Sequence, residues 1–299
     1  MRYNMILLVN YNHFLASPGF PGQPDRLQKG VIMMIQTGIV QTESFSMDYF
    51  RFGTGSRTMV ILPGLSVQSV MGAAQAVEAA FRSFEDSFTV YLFDRRNELP
   101  PSYSIREMAR DTAEAFETVG LKDVCLFGAS QGGMIAMTIA IEHPELVSRL
   151  VLGSTTAHMQ EDTYRTLDRW VQLARDKDRV GLYLAFGKDV YPPKLYESYR
   201  EGLAKLAETV TDEDLSRFVI LAEGIRDFNV VDELPKIRCP VLAIGVYEDA
   251  VVGADATMEI AEKLEFRPDS HLYMYIGYGH AAYDTAPDYR KRLLNFFLS

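Results

Sequence analysis

The chain has 299 residues, 47% of them hydrophobic and 23% charged, with a formal net charge of −10. That composition excludes extensive disorder and suffices for one large buried core or two modest ones. The acidic balance excludes phosphate-backbone binding as a main role, because no dense Lys/Arg cluster offsets the repulsion of nucleic acid and anionic lipid headgroups.

Met5–Val9 is an apolar run too short for a secretory signal core, and no stretch is long enough to span a bilayer. Residues 17–29 are rich in Pro and Gly. Residues 1–34 read as a non-core extension, or as an upstream translation artefact ahead of Met33-Met34. From Ile35 to Phe52 the residues alternate, with Phe45, Met47 and Tyr49 on one parity, which predicts an opening hairpin. Thr58–Leu62 is a continuous apolar run, as in a strand buried on both faces, and Pro63-Gly64 stops it. Val67–Phe84 carries helical spacing. Phe88–Phe93 predicts a strand closed by Asp94. Ser104 and Glu107 predict a capping box, with a helix to Val119 that ends at Gly120. Asp123–Phe127 is a buried strand, followed by a helix through Ile141 and a strand at Arg149–Leu152. Alternation resumes with a strand at Val241–Gly245, a helix at Ala254–Leu264, a strand at His271–Tyr275 and a helix at Pro287–Phe297.

This order predicts an α/β fold with a mostly parallel sheet flanked by helices. Residues 35–154 and 235–299 form the core, and 155–234 read as a helical cap, or lid, inserted into it. The two cysteines, Cys125 and Cys239, lie in apolar surroundings and suggest neither a disulfide scaffold nor a metal site. A reducing cytoplasm is the expected location.

Gly128-Ala-Ser130-Gln-Gly132 matches G-x-S-x-G between a buried strand and a helix. A serine on such a sharp turn adopts a strained backbone, and side chains at 128 and 132 would collide across it. Ser130 is the candidate nucleophile, and the Gln131 N–H a candidate oxyanion donor at the positive end of the helix. No phosphate-loop pattern is present. Serine needs a base. Of His13, His143, His158, His271 and His280, only His280 lies in a loop after the last strand and comes last in chain order. The acid is expected in the loop after Val241–Gly245, where Asp249 is preferred and Glu248 is the rival, with Asp255 and Asp284 weaker. The Leu65 N–H, beside Gly64, is the candidate second oxyanion donor, although Pro-Gly also reads as a simple turn.

These features resemble the α/β-hydrolase superfamily, in its lidded, single-domain serine-esterase-like branch. The resemblance runs from about Met47 to the C-terminus. It rests on Leu62-Pro-Gly-Leu65, Asp94-Arg-Arg96, the Gly128–Gly133 elbow, His143-Pro-Glu145, Val241–Asp249 and Gly279-His280. Two departures stand out. Many relatives carry His-Gly where this chain has Pro63-Gly64, and many carry glycines after Asp-x-Arg that are absent here. Ser130 argues against epoxide hydrolases and haloalkane dehalogenases, which place aspartate at the elbow. The resemblance implies cleavage of an acyl bond in a small, apolar substrate through an acyl-enzyme, an ester by default, with no cofactor or metal needed. Thioester, lactone, amide and carbon–carbon cleavage stay open. So do an acyltransferase, an aminopeptidase-like hydrolase and a non-catalytic ligand-binding homologue.

Overall fold

The structure, a computed structural model, describes residues 35–264 and 267–299. The predicted extension 1–34 and His13 lie outside the described residues. Strands β1 (Gln36–Gln41), β2 (Ser46–Phe52), β3 (Arg57–Leu62), β4 (Phe88–Arg96), β5 (Val124–Ala129), β6 (Val147–Gly153), β7 (Val241–Val246) and β8 (Ser270–Tyr275) build one sheet in the order β1-β2-β4-β3-β5-β6-β7-β8. The pairs β1–β2 and β2–β4 are antiparallel and all later pairs are parallel. Every residue of β5 and β7 is buried, which is why both read as unbroken apolar runs.

Helices α1 (Ala74–Phe81), α2 (Ile105–Val119), α3 (Gln131–Glu142), α8 (Ala254–Leu264), α9 (Ala282–Thr285) and α10 (Tyr289–Leu298) accompany the sheet. Helices α4 (Glu161–Arg175), α5 (Arg179–Val190), α6 (Pro193–Ala207) and α7 (Asp212–Glu223) are inserted between β6 and β7. Helix α3 is apolar on all sides and buried from Gln131 to Ile141, as expected of a helix beneath a central strand. The capping box of α2 forms: the Ser104 hydroxyl accepts from the Glu107 N–H, and the Glu107 carboxylate accepts from the Ser104 N–H. Among the described residues, no helix is long and apolar enough to cross a membrane.

Three local expectations change. The hairpin parity of Phe45, Met47 and Tyr49 breaks at a register shift between Met47 and Tyr49, after which Phe50 and Phe52 are the buried residues. The extra residue lies on β4, where Asp94 and Arg95 together oppose Asp48, so the faces of β4 flip there while β2 stays in regular register with β1. The helix read over Val67–Phe84 is shorter: a 3-10 turn at Val70–Ala73 precedes α1, and another at Arg82–Phe84 follows it. Strand β4 does not close at Asp94 but runs on to Arg96, which pairs with Met47.

Candidate active site

Register along the sheet places the ends of several strands side by side. Leu62 pairs with Gly128, Ala129 with Gly153, and Gly153 with Ile244. Ser130 therefore leaves β5 at the same carboxyl edge from which the Asp249 loop leaves β7. These strands are separated by β6 alone, roughly 10 Å in all.

Ser130 has φ 52° and ψ −122°, a conformation that costs a non-glycine residue about 1–3 kcal/mol. The surroundings hold it there. Its N–H donates to the Gly153 carbonyl (2.8 Å), and its own carbonyl accepts from the Gly133 N–H (2.8 Å) and the Thr155 hydroxyl (2.7 Å). A Cβ on Gly132 would fall 2.0 Å from the Leu62 carbonyl oxygen, and one on Gly128 2.3 Å from that of Gly132. The two glycines are thus required by close approach. Ser130 is half-buried among buried neighbours, and its side chain makes no bond that caps α3. Gln131, the first residue of α3, has an N–H that the helix itself does not use.

The loop Pro63–Leu65 passes beside the serine: a Cβ on Gly64 would lie 3.2 Å from Ser130 Cβ and 3.8 Å from its Oγ. Leu65 is buried.

His280 and Asp249 meet directly. Nδ1 of the imidazole lies 2.9 Å from Oδ2 and 3.0 Å from Oδ1, with both side chains at most 2% exposed. Asp249 Oδ1 also accepts from the backbone N–H groups of Val251 (2.9 Å) and Val252 (3.0 Å), which orients the carboxylate. A carboxylate on Nδ1 selects the tautomer that leaves Nε2 as a proton acceptor. Glu248, the rival acid, instead accepts from the Gly277 N–H at 2.7 Å and is exposed. Asp255 is an exposed residue in the first turn of α8, and Asp284 is buried in α9. His143 stands 3.7 Å from Glu145, His158 stands 2.9 Å from Glu259, and His271 faces Phe296 on β8.

One set of buried polar residues falls in the Asp94-Arg-Arg96 motif, which gives no sign of being buried. Arg95 is 3% exposed, and its Nη2 donates to the Pro63 carbonyl (2.8 Å) and to Gln131 Oε1 (3.1 Å). Burial pulls its guanidinium down to about 10, with Asp94 acting against that pull. The Arg95 N–H donates to Asp94 Oδ1 (2.7 Å), and the Ser69 hydroxyl to Asp94 Oδ2 (2.6 Å). A reading of Asp94-Arg-Arg96 as a polar loop hides this, because three charged residues look exposed. The absence of Gly and Pro until Pro100 is the signal that a strand continues.

The helical insert touches the site at several points. Gln131 Nε2 donates to the Leu221 carbonyl of α7 (2.8 Å), and Arg217 of α7 pairs with Asp94 (2.8 Å). Tyr183 of α5 donates to Gln68 Oε1 (3.0 Å), and the Ala281 N–H donates to the Val190 carbonyl (3.0 Å). Many of its aromatic residues pack on each other, with Trp170 and Phe186 ring centres 4.4 Å apart and Phe186 against Phe218.

A strained serine elbow and a buried imidazole–carboxylate pair at one edge of a mostly parallel sheet are the features of a hydrolase class. The chain belongs to that class: residues 57–287 match the family model of the alpha/beta hydrolase fold. Among curated relatives, RutD of Agrobacterium fabrum, provisionally named a carbamate hydrolase, is 26% identical over 260 residues, covering 83% of this chain and 97% of its own. The mouse serine hydrolase BPHL is 24% identical over 225 residues, covering 71% of this chain and 70% of its own. Among solved structures, MGS-M2, an alpha/beta hydrolase enzyme from a Medee basin deep-sea metagenome library, superimposes with a TM-score of 0.78 at 22% identity. That match covers 88% of this chain and 98% of the other. The chain is a hydrolase-family protein with this fold.

Proposed function

We propose that this protein is a serine hydrolase that cleaves an acyl bond in a small substrate, with Ser130 as nucleophile, His280 as base and Asp249 as the acid behind it. The observation that carries the reading is the buried Asp249–His280 pair, 2.9 Å apart, at the same sheet edge as the strained Ser130. In this mechanism His280 Nε2 takes the Ser130 Oγ proton as Oγ attacks the carbonyl carbon. Asp249 stabilises the imidazolium that forms. The N–H groups of Gln131 and Leu65 receive the oxyanion, which collapses with loss of the leaving group, protonated by His280. Water then enters by the reverse sequence, its proton passing to His280, and the acid product leaves as Ser130 recovers its proton. No step calls for a metal or organic cofactor.

A carboxylic ester of a small, apolar acid is the first substrate class. The helical insert acts as the cap over the acyl pocket, and two free, buried cysteines agree with a reducing cytoplasm. Carbamate cleavage is the second reading, favoured by the name and near full-length coverage of the RutD relative. A carbamate offers the same carbonyl to the same residues.

Labelling with a fluorophosphonate, followed by peptide mapping, tests the nucleophile. The expected adduct is on Ser130, with a burst of product from a chromogenic ester and loss of both in Ser130→Ala. An unlabelled Ser130, or full turnover in Ser130→Ala, overturns the reading. Parallel rates on matched esters and carbamates separate the two substrate classes.

A further inference from the structure

We infer that Arg95 is a positioning residue for the oxyanion hole, holding the Leu65 and Gln131 sides in register through a single guanidinium nitrogen. The inference rests on the acyl-transfer reading above and deepens it.

Nη2 of Arg95 donates both to the Pro63 carbonyl (2.8 Å) and to the Gln131 side-chain oxygen (3.1 Å). Pro63 and Gln131 belong to different segments, one after β3 and one after β5. Each segment supplies one of the two donors assigned to the oxyanion. Between Pro63 and Leu65 stands Gly64, whose wide backbone freedom would otherwise let the Leu65 N–H swing. Fixing the Pro63–Gly64 peptide plane removes much of that freedom. On the other side, Gln131 is 1% exposed, and both ends of its amide are used, by Arg95 and by the Leu221 carbonyl. Donors fixed before the reaction stabilise a developing oxyanion without reorganising.

Charge balance points the same way. Asp94 is already paired with Arg217 at 2.8 Å and accepts from Ser69, so the carboxylate does not need the Arg95 guanidinium for neutrality. Burying a second guanidinium carries a large desolvation cost that an apolar side chain would avoid. What Arg95 adds is a planar, directional donor that reaches two acceptors at once. Its guanidinium, at about 10, stays ionised at neutral pH.

The test compares wild type, Arg95→Met and Arg95→Lys on one chromogenic ester, with active sites titrated by fluorophosphonate. Arg95→Met leaves the Asp94–Arg217 pair intact and keeps most of the side-chain volume. The expected result is a kcat lower by about ten- to a hundred-fold per titrated site. KM should stay within about threefold, and affinity for a trifluoromethyl ketone should fall in step with kcat/KM. Arg95→Lys, which retains a charged donor without the planar fork, should fall between the two. Wild-type kcat per titrated site in Arg95→Met overturns the inference while the serine mechanism stands. So does a loss confined to KM. If Arg95→Met does not fold, Arg95→Lys carries the test, and unchanged kcat in it overturns the inference. A wild-type protein that neither labels nor turns over overturns the parent reading and this one with it.

Discussion

Arg217 of α7 and Asp94 of β4 are joined at 2.8 Å, across the boundary between the helical insert and the sheet. Asp94 is 5% exposed. Burial alone would raise its pKa, but Arg217 and the hydrogen bonds from Ser69 and the Arg95 N–H outweigh burial, so the net direction is down. A carboxyl depressed in the folded state stabilises the protein above its unfolded pKa, about 3.9, and that contribution is lost as pH falls through the lower folded value. Acid titration of stability should therefore show a fall below about pH 4 that Asp94→Asn diminishes. Arg217→Ala, which strands a buried carboxylate, should cost roughly 3 kcal/mol and lower Tm by roughly 5–10 °C. A melt within a degree of wild type would refute the assignment.

Asp249→Asn should fold normally yet lose about 10⁴-fold in kcat, because an amide no longer selects the tautomer with a free Nε2. Glu248→Gln is the control. Its side chain bonds only the Gly277 N–H among the described residues, and glutamine keeps an acceptor there. Steady-state kinetics on the two variants separate the neighbours by orders of magnitude.

Gly132→Ala should fail to give soluble, native protein. Its Cβ would sit 2.0 Å from the Leu62 carbonyl oxygen and 2.6 Å from that of Pro63, and backbone cannot yield as a side chain can. Recovery of a folded, active Gly132→Ala protein would contradict the elbow geometry.

Glu85 supplies an independent pH test remote from catalysis. Burial, then its hydrogen bond and charge contact with Glu78, push its carboxyl up to about 7. A raised acid has the opposite sign from Asp94. As pH climbs from about 4.3 to about 7, the unfolded chain releases a proton that the folded chain keeps, so stability declines over that window and levels off above it. Glu85→Gln should flatten the decline and melt a few degrees higher than wild type at pH 8. Parallel melting curves across pH 4–9 would disprove the shift.

Strands buried on both faces were legible as apolar runs, because β5 and β7 have no solvent side to interrupt them. The serine elbow was legible because its glycines answer a steric demand visible in spacing alone. Less local features were not. The shift between Met47 and Tyr49 depends on the partner strand: the apolar parity of β2 changes at Phe50, but nothing in β2 says that the extra residue lies on β4. The inward turn of Arg95 depends on acceptors at Pro63 and Gln131, 32 and 36 residues away. Asp249 is already preferred over Glu248 from chain position, whereas the loop path that turns Asp249 toward His280 and Glu248 toward the Gly277 N–H was not legible.

The insert is fastened to four separate segments around the serine and histidine, through Gln68, Asp94, Gln131 and Ala281. It is built as a wall more than as a door. Exchanging it wholesale for the equivalent piece of a relative would pull anchors out of the scaffold beneath, so single replacements on its inner surface are the readier way to alter the acyl pocket proposed above.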